Sequence, residues 1–141
     1  MSIDGIPAGG FKTLGQIVGT NDLRFRPEQN AMEVASDLLS AHTTGAPVVN
    51  ENGVFIGFIS EVDLLRALET GKDLNNLTAA EVMTTCPVAA HDYTPIADAV
   101  KFMEQYGLLI LPVQKNGVVS YSVTRHDLLR AWAGIGLGVE S

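Results

Sequence analysis

The chain has a single cysteine, Cys86, so it cannot form an internal disulfide bond. An unpaired thiol is compatible with a reducing compartment. Residues 1–10 also lack the basic segment followed by an apolar run that marks a signal peptide, and we expect residues 1–12 to form a flexible arm. These two absences predict a cytoplasmic location.

Positive charge is also scarce, because nine Lys and Arg residues stand against sixteen Asp and Glu residues, for a net charge of -7. Duplex nucleic acid and anionic membrane surfaces are bound mainly through clustered cations, so neither is expected as a partner. The uncharged apolar runs are far shorter than the ~20 residues of a membrane span. The composition is nevertheless 46% hydrophobic, which provides enough material for a core.

The main feature of the sequence is an internal duplication. The five-residue sequence Asp-Leu-Leu-Arg-Ala occurs at 63–67 and 127–131. Each copy begins three residues after a hydroxyl side chain, Ser60 or Thr124. An offset of 65 aligns the earlier positions, such as Pro47 with Pro112, and the offset is 64 from Gly53 onward. We therefore predict repeat one at 13–70, a linker at 71–77, repeat two at 78–132 and a tail at 133–141. Because a half of about 60 residues is marginal alone, the repeats should share one module.

Each repeat shows the order β-α-β-β-α. Repeat one is predicted to have strands near 22–25, at 46–49 and at 54–59, with helices at 30–41 and 61–69. Repeat two is predicted to have strands at 87–90, 108–113 and 118–123, with helices at 94–106 and 124–132. Asn116-Gly117 is expected to form a tight turn with positive φ angles. The predicted fold is α/β of the α+β type, with two repeats related by pseudo-two-fold symmetry and small sheets packed against helices.

Hydroxyl side chains mark the starts of both predicted helices of repeat two and of the second predicted helix of repeat one. Thr94 is expected as the N-cap of the first, with Pro95 at the first helical position. Ser60 and Thr124 precede Asp63 and Asp127 with the spacing of a helix cap, although a reciprocal capping box favours the longer Glu or Gln. The alternative is that each Asp accepts hydrogen bonds from the hydroxyls of a ribose, as an acidic residue does in dinucleotide folds.

Several segments resemble the CBS domain family. They are Gly45-Ala46-Pro47-Val48-Val49, then Gly57 to Arg66, and Glu81-Val82-Met83-Thr84 followed by Pro87-Val88. The tandem arrangement is similar to a CBS pair, or Bateman module. The resemblance implies a regulatory module that binds an adenine nucleotide (AMP, ADP or ATP, with S-adenosylmethionine as a further candidate) in clefts between its repeats. It also implies a homodimer, here standing alone and acting on an unknown regulated protein. No catalytic activity, metal or cofactor is expected, because the sequence offers no activated nucleophile and no paired His or Cys spacing of a metal site.

The resemblance also implies site residues in repeat one. Asp63 takes the ribose-binding position, with Ser60 beside it on the ribose or a phosphate. The adenine slot would have a wall of small residues, because Gly and Ala leave room for a ring. The residues of that slot are Gly45, Ala46 and Pro47, completed by Thr20 and Asn21.

The matching residues of repeat two depart from the family pattern. Asp127 and Thr124 repeat the ribose pair, and Thr85 matches Thr20. The slot residues become Ile110, Leu111 and Pro112, while Tyr121 replaces Gly57. These larger side chains either stack on a base or close the slot, and the sequence leaves both alternatives open. Arg125 either holds a phosphate at the start of its helix or is an ordinary solvated residue.

Overall fold

The computed structural model of the chain describes residues 12–17, 21–85 and 88–134. These residues form two compact units. Unit 1 contains residues 12–17, 21–22, 89–115 and 120–134, and unit 2 contains residues 23–85, 88 and 116–119. Neither unit is one continuous segment, so the units do not coincide with the two sequence repeats.

Unit 2 packs helices against a two-stranded sheet. Its elements are α1 (Ala31–Ala41), β1 (Gly45–Val49), β2 (Phe55–Ser60), α2 (Glu61–Glu69), a 3-10 turn (Leu74–Asn76) and α3 (Ala79–Val82). The strands β1 and β2 are antiparallel, with Gly45 opposite Ser60 and Pro47 opposite Phe58. All five residues of β1 are buried. The core of the unit joins this strand to one side chain or more from each of the three helices, including Val34, Leu64 and Ala79.

Unit 1 repeats this plan around a three-stranded sheet of order β3-β4-β5. Its elements are a 3-10 turn (Leu14–Gln16), β3 (Ala90–His91), α4 (Ile96–Tyr106), β4 (Ile110–Lys115), β5 (Val118–Thr124) and α5 (Arg125–Ala133). The strand β3 is parallel to β4, with Ala90 opposite Val113. The predicted α+β fold with small sheets and helices is confirmed. The predicted turn is confirmed as well, because Asn116 and Gly117 have φ angles of 54° and 83°.

The prediction that Thr94 caps a helix is wrong. The helix α4 begins at Ile96, with Pro95 in the N-cap position. The Thr94 hydroxyl instead accepts a hydrogen bond from the His91 N–H at 2.9 Å, which closes the preceding turn. The N–H of Ile96 donates to the carbonyl of Lys12 at 2.9 Å. A segment distant in sequence therefore supplies the hydrogen-bond acceptor for the first N–H of α4.

The first predicted strand of each repeat differs from the prediction. In place of a strand near 22–25, the backbone makes isolated bridges, from Asn21 to Ser122 and from Phe25 to Val48. In repeat two the strand is Ala90–His91, and Pro87 lies outside the described residues. Sequence periodicity does not detect such single bridges, because each needs only one residue of extended backbone.

The segment that opens each sequence repeat belongs to the unit formed mainly by the other repeat. In unit 1, Leu14 N–H donates to the carbonyl of Thr94 at 3.0 Å. In unit 2, Ala79 N–H donates to the carbonyl of Gln29 at 2.8 Å. The offset of 65 relates both donors and both acceptors. Leu14 and Ala79 are fully buried, so each opening segment contributes to the core of the unit it enters.

Candidate functional site

The first candidate site is the corner where β2 runs into α2 in unit 2. Ser60 is the N-cap of α2, and its hydroxyl lies 3.4 Å from the N–H of Asp63. In return, Asp63 Oδ2 accepts from the Ser60 N–H at 2.9 Å and from the Ser60 hydroxyl at 3.0 Å. The carboxylate is thereby held at the start of the helix, where the helix dipole stabilises a negative charge. Both side chains are half-buried.

The corner where β5 runs into α5 in unit 1 repeats this geometry. Asp127 Oδ2 accepts from the Thr124 N–H at 2.9 Å and from the Thr124 hydroxyl at 3.1 Å. The Asp127 N–H donates to the Thr124 hydroxyl at 3.3 Å. The capping interpretation is therefore confirmed at both corners, and Asp makes the reciprocal bond although the capping box favours the longer Glu or Gln. Because only Oδ2 is used in the cap, Oδ1 of each carboxylate keeps its capacity to accept hydrogen bonds.

A residue that the sequence analysis did not assign lies next to Asp63. The hydroxyl of Thr84 donates to Asp63 Oδ1 at 3.4 Å, a long hydrogen bond from an exposed side chain. Backbone bonds between Thr84 and Phe58, of 2.8 and 3.0 Å, place this hydroxyl beside the corner. The predicted site residue of this segment is the neighbouring Thr85, which is exposed. The resemblance includes Thr84, but nothing in the sequence indicates its bridge to β2.

In unit 1, Asn21 lies beside β5 in the place that Thr84 takes beside β2 in unit 2. The N–H of Ser122 donates to the carbonyl of Asn21 at 2.8 Å, two residues before Thr124. The structure therefore brings Asn21 close to the Thr124–Asp127 corner, although the sequence analysis assigned it to the slot of repeat one. Thr20 lies outside the described residues.

The space beside Gly45 is occupied by protein. A Cβ at this position would lie 2.7 Å from Cε1 of Phe58 and 2.9 Å from the carbonyl oxygen of Ile59. Ala46 and Pro47 are buried as well. The premise that Gly45 leaves room for an adenine ring is therefore corrected: the small residue accommodates the Phe58 ring.

In repeat two, the positions equivalent to Gly45 and Phe58 have residues of the opposite sizes. At the positions equivalent to Gly45 and Phe58, unit 1 has Ile110 and Ser122, which are exposed by only 4% and 3%. The large and the small residue are thus exchanged between these two equivalent positions. Leu111 and Pro112, which follow in β4, are also buried. The bulk of Ile110 therefore does not distinguish a closed slot from an open one.

The clearest difference between the corners is at Gly57 and Tyr121. A Cβ on Gly57 would collide with the thioether of Met83 and lie 3.0 Å from the carbonyl oxygen of Thr84. At the equivalent position in unit 1, the Tyr121 hydroxyl donates to the carbonyl of Leu14. Burial, and secondarily the charge of Asp92, raise the pKa of Tyr121. A flexible methionine thus occupies the space in unit 2, whereas a hydrogen-bonded ring occupies it in unit 1.

Arg125 follows the second corner and lies on the exposed side of α5. It lines a groove of about 510 Å³ together with Glu104, Leu129 and Trp132. In unit 2 the equivalent residue is Glu61, which also lines a groove on the helical side of the unit. The position of Arg125 agrees with the solvated alternative more closely than with a phosphate contact at the corner.

The described residues contain no group of three or more His, Cys, Asp or Glu side chains arranged to hold a metal ion. Over the same residues, no helix combines the length and hydropathy needed to cross a membrane.

Comparison with known protein families gives two matches to the CBS domain, at residues 14–70 and 79–134. The CBS domain-containing protein YhcV of Bacillus subtilis is 35% identical over 95 residues, which are 66% of this chain and 66% of that protein. The L-aspartate semialdehyde sulfurtransferase of Methanocaldococcus jannaschii is 30% identical over 105 residues, or 73% of this chain. The match spans only 20% of the sulfurtransferase.

Solved structures show the same similarity. The CBS domain pair of protein MJ0100, in complex with 5'-methylthioadenosine and S-adenosyl-L-methionine, matches with a TM-score of 0.74 and 26% identity. The match covers 88% of this chain and 98% of that one.

Proposed function

Since this chain belongs to the CBS domain family, we propose that it is a regulatory module. It binds an adenosine-containing ligand, and ligand binding changes the activity of a regulated protein. The observation that carries the proposal is the carboxylate of Asp63. One oxygen of this group is used by the cap of α2, while the other meets only the exposed hydroxyl of Thr84 among its hydrogen-bond partners in the described structure. A ribose has two adjacent hydroxyls, and such an oxygen can accept hydrogen bonds from them.

Thr84 supports the same assignment. Its 3.4 Å bond to Asp63 is long for two oxygen atoms and correspondingly weak. A ribose hydroxyl at a normal distance of about 2.7 Å would replace it with a stronger, charge-assisted bond. The exposed Thr84 hydroxyl would then turn to water or to the ligand.

The Asp63 corner is proposed as the main site because its neighbouring side chains can move. Displacing the Met83 thioether from Gly57 requires only rotation about single bonds. At the Asp127 corner, displacing Tyr121 also breaks its hydrogen bond to Leu14. We therefore propose stronger binding at Asp63 than at Asp127.

The charge around Asp63 favours a ligand with few phosphates. Glu61 and Asp63 lie in the first turn of α2, and the basic residue of that helix, Arg66, lies in its last turn. Polyphosphates would be repelled by the two acidic side chains, whereas the cationic methionine portion of S-adenosylmethionine would not. The expected order of affinity is S-adenosylmethionine and AMP before ATP.

Thermal unfolding with each ligand tests the proposal. A ligand at 100 times its dissociation constant adds ~2.7 kcal/mol, which raises the Tm of a domain of this size by roughly 5–10 °C. The matched control is guanosine monophosphate, which has the same ribose phosphate and a different base. Equal shifts with both nucleotides would contradict adenine recognition, and the absence of a shift with every adenosine compound at millimolar concentration would reject the proposal.

A second function is favoured by the filled spaces beside Gly45 and Gly57. If Phe58 and Met83 stay in place, the chain is a ligand-independent interaction protein that assembles as a dimer. This alternative predicts no thermal shift and a self-association constant that adenosine compounds do not change. A catalytic role is not proposed, and a cytoplasmic location stays a prediction of the sequence.

A further inference from the structure

The side chain of Met83 fills the space beside Gly57, and its sulfur makes the closest contact. A Cβ on Gly57 would collide with Met83 Sδ and lie 3.0 Å from its Cγ. The backbone at Met83 is fixed, because its N–H donates to the carbonyl of Ala79 at 2.8 Å and the next residue, Thr84, is bonded to Phe58 on both sides. The side chain can therefore leave Gly57 without breaking a backbone hydrogen bond.

Met83 is intermediate in exposure among the methionines of the described residues. It is half-buried and packs against the core of unit 2. Met32 is 40% exposed and Met103 only 2%. Since an oxidant must reach the sulfur before it can react, we expect Met32 to be oxidised first, Met83 next and Met103 last.

The surroundings of Met83 suit a thioether and disfavour a sulfoxide. A Cβ on Gly57 would also lie 3.0 Å from the carbonyl oxygen of Thr84, so this oxygen borders the same space. That carbonyl already accepts the N–H of Phe58 at 3.0 Å. A sulfoxide oxygen is a polar acceptor, and it would meet another acceptor there instead of a donor. Burying a polar group without a hydrogen-bond partner is unfavourable, so the oxidised side chain should turn towards water.

From this contact we propose that Met83 is a site of reversible oxidation by peroxides, and that its sulfoxide leaves the space beside Gly57. In the reaction a lone pair of the sulfur attacks one peroxide oxygen and the O–O bond breaks. With hydrogen peroxide the products are the sulfoxide and one water molecule. The sulfur loses two electrons, and the peroxide gains them. Methionine sulfoxide reductases restore the thioether.

The modification distinguishes the two corners. In unit 1 the position of Gly57 is taken by Tyr121, which has no sulfur to oxidise and is bonded to the carbonyl of Leu14. Oxidation of Met83 therefore acts on the Asp63 corner and leaves the Asp127 corner unchanged. The effect on ligand binding rests on the proposed function: if Met83 has already left Gly57, a conformational step is removed and the apparent dissociation constant falls.

Treatment of the full-length protein with hydrogen peroxide tests the site. All variants carry Cys86→Ser, so that no thiol reacts. Peptide mass spectrometry then follows each methionine, and Met83 should be oxidised faster than Met103 and more slowly than Met32. A Met83 that reacts no faster than the buried Met103 would overturn the proposal.

Met32→Leu and Met83→Leu are matched variants, because each replaces one sulfur by an apolar side chain of similar size. Peroxide should lower the Tm of Met32→Leu by roughly 3–10 °C, since Met83 loses its packing, and should leave the Tm of Met83→Leu unchanged. Reduction by a methionine sulfoxide reductase should restore the first value. Equal losses of Tm in the two variants would contradict the role of Met83.

Gly57→Ala shows without any ligand whether the sulfoxide has left. In the reduced protein the added Cβ collides with Met83, so its effect on Tm should be smaller after oxidation, although the Thr84 carbonyl remains close. An effect of the same size before and after oxidation would mean that the sulfoxide stays beside Gly57, and would overturn the proposal.

Calorimetric titration with AMP, after the peroxide is removed, measures the effect on the ligand site. Oxidised Met32→Leu should bind AMP about threefold more tightly than the reduced form, and Met83→Leu should keep one dissociation constant throughout. Unchanged affinity in both variants would contradict opening of the Asp63 corner. If AMP binds to neither form, the proposed function fails, whereas the oxidation site is still decided by the Gly57→Ala comparison.

Discussion

Asp63 and Asp127 show how one carboxylate can serve structure and binding at the same time. In each, Oδ2 accepts from the backbone N–H and the hydroxyl of the preceding N-cap residue. The short Asp side chain suits this role because it holds the second oxygen at the corner, whereas a Glu would extend further along the helix. The helix cap therefore orients the group that is proposed to bind ribose.

Replacing these two residues separately should assign the ligand site. Asp63→Asn and Asp127→Asn alter equivalent caps of two helices, so their unfolding free energies should fall by a similar amount, about 0.3–1 kcal/mol. We expect Asp63→Asn to weaken adenosine-ligand binding about tenfold or more, and Asp127→Asn to weaken it less, in calorimetric titrations. Each variant is the structural control for the other, and equal losses of affinity would contradict the proposed difference between the corners.

The strands β2 and β5 carry that difference in two adjacent positions. Gly57-Phe58 in β2 corresponds to Tyr121-Ser122 in β5. In β2 the bulk lies at Phe58, which covers Gly45, while Gly57 receives the Met83 side chain. In β5 the bulk lies at Tyr121, which bonds to Leu14. The opening segment therefore supplies the side chain that fills the contact with β2, whereas β5 supplies its own side chain for the equivalent contact.

The contact between Gly57 and Met83 predicts the effect of a single added methyl group. Gly57→Ala should lower the unfolding free energy by about 1–3 kcal/mol, because its Cβ collides with Met83 and approaches the Thr84 carbonyl. Adding Met83→Ala should recover part of that loss, since the flexible side chain is removed while the carbonyl remains. Urea unfolding of the two single variants and the double variant measures the coupling. Strictly additive losses would show that Met83 is not the residue in contact.

At the scale of the whole molecule, the repeats and the compact units divide the chain differently. Residues 12–17 supply the buried Leu14 and Ile17 to unit 1, and the α3 segment supplies the buried Ala79 to unit 2. The hairpin tip at 116–119 also belongs to unit 2, where Val119 N–H donates to the Gly53 carbonyl at 3.0 Å. Neither unit is made from one sequence repeat alone, since each takes part of its core from the other repeat.

Tyr121 ties the opening segment to β5 across 107 residues. Tyr121→Phe should therefore lower the unfolding free energy by about 1 kcal/mol, because it leaves the Leu14 carbonyl without this donor. Tyr93→Phe is the matched control, since Tyr93 is 70% exposed, and it should have little effect. Urea unfolding near pH 8 compares the two variants, and equal effects would contradict the role assigned to Tyr121.

The pH dependence gives a second test of Tyr121. Burial and the charge of Asp92 raise its pKa in the folded protein above the usual value of 10.0. Above about pH 10 the unfolded chain releases this proton while the folded protein retains it, so stability falls as pH rises through this window. The difference in stability between the original protein and Tyr121→Phe should therefore shrink as the pH rises above about 10. A constant difference would contradict the raised pKa.

The local parts of the fold could be predicted because they depend on residues close in sequence. The helix spacing of apolar residues, the caps at Ser60 and Thr124 and the Asn116-Gly117 turn all involve neighbours within four positions. Thr94 was the exception, because the N–H of Ile96 finds its acceptor at Lys12. The first strands were harder to predict, since single bridges such as Asn21–Ser122 leave no periodic pattern.

The sequence by itself determined the duplication, the caps at Ser60 and Thr124 and the two Asp corners, because these follow from residue identity and short spacing. Only the tertiary structure decided what surrounds each corner. Thr84 reaches Asp63 from 21 residues away, and Phe58 fills the space beside Gly45 from the neighbouring strand. The physical reason is that side-chain packing is decided by whichever segment the chain brings alongside, and a repeat alignment compares equivalent positions without showing which other segment each one meets.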